Sequence, residues 1–143
     1  MYGHAESVLR LIREQQEVVN VEGHRVLVSG WREYTNQEVV NGVLDGLHAA
    51  RRIDMLIHGA ARGVDTLAER WAISRGVGME RYPVKKEDWA RLGKGAGNVR
   101  NQEMLDVGKP TLVVCFVAAE SKGTRDMMER AVKAKVPVHY VSL

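Results

Sequence analysis

His58-Gly59-Ala60-Ala61-Arg62-Gly63-Val64-Asp65 is the stretch of this chain whose residue types and spacing best suit chemistry. It follows the apolar run Met55-Leu56-Ile57 and opens the amphipathic run Val64, Leu67, Ala68, Trp71, Ala72. A buried strand therefore ends in a glycine-bearing turn that feeds a helix. Such a turn aims backbone N–H groups and the positive end of a helix at one spot, which suits an anion such as a phosphate. Gly59, Ala60 and Gly63 are small enough for a ligand to approach the backbone, and Arg62 can add a charge. Asp65 either orients Arg62 or caps its own helix, where first-turn carboxylates are favoured by the helix dipole. His58 reads as a hydrogen-bonded structural histidine more than a catalytic one.

Two further loops carry related groups. Gly30-Trp31-Arg32 directly follows an apolar run. Arg32 can contact an anion there, and Trp31 either stacks on a base or packs on its own loop. Ser121-Lys122-Gly123-Thr124 offers hydroxyls, an ammonium and flexible backbone at a helix start, without being a Walker A motif. Its plainer reading is a turn at Gly123 with Thr124 as N-cap. Val84 to Asn98 reads as a long loop holding Glu87-Asp88-Trp89 and Gly93–Gly97. Between Val84 and Asn101, Lys85, Lys86, Arg91, Lys94 and Arg100 outnumber Glu87 and Asp88, so the segment is either a basic solvated surface or a wall of the same site. Trp89 is a second candidate to cover a base. Arg100 and Asn101 open the following helix, where they can face the crevice.

Other chemistries find little support. His4, His24, His48 and His139 lack metal-ligand spacing, and Cys115 is the sole cysteine, so neither a zinc site nor an internal disulfide is expected. No Gly-x-Ser-x-Gly elbow is present. A net charge of +3 is too small to imply nucleic-acid binding by itself. No apolar stretch approaches membrane-spanning length and no signal peptide opens the chain, so no membrane partner and a cytoplasmic location are expected.

The elements that must position these loops alternate. Short apolar runs at Arg25–Ser29, Asp54–His58, Met79–Pro83, Thr111–Val117 and Val136–Val141 read as five strands, most of them buried on both faces. Met79–Pro83 is the weakest, because it contains Glu80 and Arg81. Between them come helical patterns. One follows the capping-box spacing Thr35-Asn36-Gln37-Glu38, one runs from Arg62 to Ser74 before Gly76, one covers Val99 to Val107, and one starts near Thr124. The pattern predicts an α/β, Rossmann-like doubly wound, mainly parallel five-stranded sheet of order 3-2-1-4-5. An extra N-terminal helix is expected over about Ala5 to Val19, giving a helical extension over 1–24 and one domain over 25–143. The three loops gather at the carboxyl ends of strands one, two and four, where such sheets bind ligands.

The blocks Gly30-x-Arg32, His58-Gly59-Ala60-Ala61-Arg62-Gly63-x-Asp65, Trp71-Ala72, Trp89 with Gly93, Ala96-Gly97-x-x-Arg100-Asn101-x-x-Met104-Leu105 and Lys122-Gly123-Thr124-x-Asp126-Met127 resemble, in this order, the YspA, cpYpsA-related branch of the SLOG superfamily. That superfamily is named for the Smf/DprA and LOG proteins. The resemblance covers about residues 25–141. It implies a Rossmann-like domain that binds nucleotides or nucleotide-derived, NAD- or ADP-ribose-like molecules, as a sensor or sequestering module. It also brings alternatives: phosphoribohydrolases acting on nucleoside monophosphates, and DprA-like single-stranded DNA binders. Homo-oligomers are common among such relatives, and a homodimer is expected. The ligand set it implies is Gly30, Trp31, Arg32, Gly59, Ala60, Arg62, Gly63, Asp65, Trp89, Arg100, Asn101, Ser121, Lys122, Gly123 and Thr124.

One departure matters for catalysis. Phosphoribohydrolase relatives carry Pro-Gly-Gly-x-Gly-Thr-x-x-Glu at the fourth-strand loop, whereas Met127 takes the Glu position in this chain. A thioether cannot activate water. Asp126 is a helical neighbour pointing about 100° away, and Glu120 precedes the helix, so no catalytic residue is assigned.

Overall fold

A computed structural model describes residues 23–143. The expected N-terminal helix over about Ala5 to Val19 lies outside the described residues. Within them, strand and helix alternate: β1 (Arg25–Gly30), α1 (Gln37–Ala50), β2 (Met55–His58), α2 (Val64–Arg75), β3 (Gly78–Arg81), α3 (Lys86–Leu92), a 3-10 turn (Gly93–Gly95), α4 (Ala96–Asp106), β4 (Leu112–Val117), α5 (Lys122–Lys133) and β5 (Val138–Ser142). The strands form one parallel sheet in the order β3-β2-β1-β4-β5. This is the Rossmann-like doubly wound topology that the alternation predicts.

Period-two alternation sends each strand's side chains to two cores. Val26, Val28, Leu56, Val114 and Phe116 meet Val40 and Leu44 of α1 and Val64, Leu67, Ala68, Trp71 and Ala72 of α2. On the other face Leu27, Ile57, Val113, Cys115 and Val117 meet Met104 and Leu105 of α4 and Met127 and Ala131 of α5. Burial pushes the Cys115 thiol up to about 12, so it behaves as a small apolar side chain. Crossing from one helical layer to the other places the topological switch between β1 and β4. There the Trp31 N–H donates to the Phe116 carbonyl at 3.2 Å.

The structure differs from the sequence-based expectation in three places. The segment expected as a loop from Val84 to Asn98 contains α3 and the 3-10 turn, and α4 begins at Ala96. Asn36, not Thr35, caps α1, its side chain accepting from the Val39 N–H at 3.2 Å. In α5 the helix begins at Lys122 after Ser121, so Thr124 lies in its first turn and is not the cap. The charges that weaken the third strand as a pattern have partners: Glu80 accepts from Arg25 at 2.5 Å and from the Tyr82 hydroxyl at 3.0 Å. Arg81 pairs with Glu69.

Candidate functional site

The turn after β2 is built around Asp65. Its carboxylate Oδ2 accepts the Gly59 N–H at 3.1 Å and the Ala61 N–H at 3.2 Å. Between these two residues, the Ala60 N–H donates to His58 Nδ1 at 3.0 Å, and Ala60 takes φ 55°. The backbone donors of Gly59, Ala60 and Ala61 are thus engaged inside the protein. Of the N–H groups expected to face a phosphate, that of Gly59 is held by Asp65 and that of Ala60 by His58, in keeping with the cost of a buried N–H left without a partner. Nor does Asp65 orient Arg62, which instead donates to Glu33 at 2.5 Å on the exposed rim. Burial raises the Asp65 carboxyl to about 6, against the lowering effect of the Ala61 N–H, Arg100, the Gly59 N–H and Arg32.

His58 fits its structural reading. Because Nδ1 accepts, the ring proton sits on Nε2, which lies 3.6 Å from Glu69 Oε1. Burial is the largest influence and pushes the imidazole below its ordinary value, which keeps it neutral and able to accept. The sequence missed Glu69 as its partner, because the contact is made only when α2 folds back along β2.

Arg100 joins the turn from α4. Its Nη1 donates to the Gly59 carbonyl and, at 3.3 Å, to the Tyr82 carbonyl, while Nε donates to Asn101 Oδ1 at 3.3 Å. Nη2 has no partner among the described residues. Burial lowers the Arg100 pKa most, Asp65 opposes that shift, and Arg32 adds to it. Arg100, Arg32 and Asp65 therefore lie within electrostatic reach of one another. Two guanidiniums facing one carboxyl that titrates near 6 leave this crevice short of negative charge.

The loops at the carboxyl ends of the strands are in direct contact. Gly63 (φ 75°) lies so close to the backbone of Trp31 and Arg32 that a Cβ would strike it, and the Val64 N–H donates to the Trp31 carbonyl at 3.2 Å. Arg100 ties the β2 turn to α4. Asn101 then ties α4 to the fourth loop, donating to the Gly123 carbonyl at 3.2 Å and to Asp126 at 3.0 Å. Gly30, Trp31, Arg32, Gly59, Ala60, Arg62, Gly63, Asp65, Arg100, Asn101 and Gly123 thus belong to one continuous constellation.

Their roles divide. Asn101, Ser121 and Thr124 are each buried, and the Ser121 hydroxyl accepts the Ala118 N–H at 3.0 Å. These side chains brace the loop. Arg32, Arg62 and Lys122 are exposed, Arg62 in its ion pair with Glu33. Trp89 sits on α3, a helix with no buried residue, and is half exposed. Met127 is fully buried beneath α5, in the core that contains Leu27 and Ile57. Among the described residues no group of three or more His, Cys, Asp or Glu side chains could hold a metal. No described helix is long and apolar enough to cross a membrane.

Residues 24–91 match the YspA, cpYpsA-related SLOG family. The Gene 61 protein of Mycobacterium phage D29 is 38% identical over 119 residues, a match that spans 80% of this chain and 93% of the phage protein. The chain belongs to the YspA, cpYpsA-related SLOG family. In fold it is similar to DNA processing protein A (DprA) from Streptococcus pneumoniae, with a TM-score of 0.66 at 19% identity. That similarity covers 85% of this chain and 51% of DprA, so the chain spans about half the length of that neighbour.

Proposed function

We propose that this SLOG domain binds a nucleotide or an NAD- or ADP-ribose-like ligand at the switch-point crevice, as a sensor or sequestering module. The observation that carries this reading is the half-buried Arg100: its Nη2 has no partner among the described residues, and its guanidinium and that of Arg32 both lie within electrostatic reach of the one Asp65 carboxylate. A phosphate oxygen is the ligand atom that best relieves that imbalance, because guanidinium–phosphate pairs are charge-assisted and can be bidentate. Lys122 extends the positive rim, Arg62 would join it by exchanging Glu33 for the ligand, and Trp31 and Trp89 are the candidates to cover a base.

Family membership supports a nucleotide-related role. Against hydrolysis of the phosphoribohydrolase kind stands the placement of Met127, Asp126 and Asp65. Met127 points into the core, Asp126 is held by Asn101 and by Arg130 at 2.8 Å, and Asp65 staples the β2 turn.

Calorimetric titration with AMP, ADP-ribose and NAD tests the proposal. Arg32→Ala and Lys122→Ala should each weaken binding about tenfold or more, the value of a charge-assisted hydrogen bond. Unchanged affinity in both variants refutes the site. Release of free base or phosphate during the titration would shift the reading to hydrolysis. A preference for single-stranded DNA with a steep salt dependence would shift it to nucleic-acid binding.

A further inference from the structure

The sheet has two edges, and the chain treats them differently. β3 is short, and its Glu80 and Arg81 are both held in ion pairs. β5 pairs with β4 on one side, and no described strand lies on its other side. The Val113 N–H donates to the Pro137 carbonyl, and the Leu143 N–H donates to the Val117 carbonyl, both at 2.9 Å. In a parallel ladder, alternate residues of a strand serve one neighbour. Residues 137, 139, 141 and 143 therefore face β4, and Val138, Tyr140 and Ser142 turn their N–H and C=O groups to the open edge.

Natural edge strands are blunted by charge, proline, a bulge or shortness. Among the described residues, neither charge nor proline protects the outward set. Val136 to Leu143 contains no Asp, Glu, Lys or Arg, and Pro137 belongs to the residues that face β4. The Tyr140 side chain is 56% exposed and Leu143 38%, which adds apolar surface beside the open backbone.

The geometry points to a second copy of this chain as the occupant: β5 pairs antiparallel with its own counterpart about a two-fold axis at Tyr140, joining two five-stranded sheets. Antiparallel self-pairing is isologous, so each contact is made twice. The two Tyr140 residues exchange their N–H and C=O bonds, and Val138 of each copy lies opposite Ser142 of the other. Like charges directly opposed across strands are destabilising. Residues 136–143 have no Asp, Glu, Lys or Arg to oppose, and Lys135, the nearest of these types along the sequence, falls outside the paired window. A strand of unrelated sequence would gain the same backbone bonds, but only a copy of β5 is certain to bring a matching charge-free face.

Sedimentation equilibrium of the full chain at high micromolar concentration tests the pairing. The wild type should sediment at twice the 16.0 kDa chain mass. Tyr140→Lys, which sets two ammoniums face to face, and Tyr140→Pro, which removes an outward N–H, should weaken dimerisation at least tenfold with circular dichroism unchanged in the Lys variant. In addition, Tyr140→Cys should be cross-linked between chains by a short bis-maleimide, whereas the buried Cys115 of the wild type should not. A monomeric wild type overturns the proposal. So does a dimer that survives Tyr140→Lys, and so does absence of the cross-link at position 140.

Discussion

The Arg100 guanidinium occupies the space that a Cβ on Gly59 would fill, and it donates there to the Gly59 carbonyl. The glycine is required by this close approach, since its backbone takes no positive φ. Gly59→Ala should drive Arg100 out of its seat and leave the Gly59 and Tyr82 carbonyls without that donor. The guanidinium can swing aside, so the cost is that of acceptors left without their charge-assisted donor, about 1–3 kcal/mol. Urea denaturation should report a loss in this range, and nucleotide affinity should fall with it. A variant of wild-type stability and affinity would show that Arg100 does not depend on this cavity.

Asp65 gives the protein a specific pH dependence. Its carboxyl titrates at about 6 in the folded chain, against an ordinary value of 3.8. Between those values the folded state holds a proton that the unfolded state has lost, so stability falls as pH rises. The full effect is about 3 kcal/mol, reached once pH exceeds the folded value. In Asp65→Asn the amide oxygen can still accept from Gly59 and Ala61 but cannot ionise. The stability difference between variant and wild type should therefore be flat below about pH 4 and move in the variant's favour up to about pH 6. Parallel pH–stability profiles for the two proteins would refute the assignment.

Much of this arrangement was legible in the sequence, for physical reasons that can be named. Continuous apolar runs such as Leu112–Val117 mark strands covered on both faces, and their alternation with helices restricts the strand order to few choices. The three loops followed from that order. What escaped were contacts set by three-dimensional closure. The first-turn position of Asp65 suggests a helix cap or a partner for Arg62, but its carboxylate turns back onto Gly59 and Ala61. Arg62 found Glu33, on a loop distant in sequence. α3 was hidden because its Lys86–Leu92 stretch buries nothing, so it shows no apolar stripe for a pattern to detect.

Met127 tests whether a carboxylate of the phosphoribohydrolase kind can be placed at this position. The residue is fully buried against the α4–α5 face of the sheet, so Met127→Glu would place an ionisable group among apolar side chains. Such burial without a partner should cost on the order of 4 kcal/mol or more. Met127→Leu conserves volume and should cost less than about 1.5 kcal/mol. Chemical denaturation distinguishes the two, and incubation with AMP should yield no free adenine from either. A stably folded Met127→Glu protein that releases adenine would mean that this helix can turn its first residues into the crevice.

Trp89 separates recognition of a base from recognition of a phosphate. It stands half exposed on α3, and no residue of that helix is buried, so truncation removes little packing. Substitutions at surface positions of this kind usually change stability by no more than about 0.5 kcal/mol. If the indole covers a nucleobase, its loss should weaken AMP and ADP-ribose by the value of one stacking contact, about 1–3 kcal/mol. Ribose 5-phosphate, which offers the same anion without a ring, should bind wild type and Trp89→Ala equally. Equal losses for all three ligands would place Trp89 in the shaping of the phosphate site. No loss for any of them would leave Trp31 as the aromatic group for a base, since it lies on the loop that touches Gly63 and Val64.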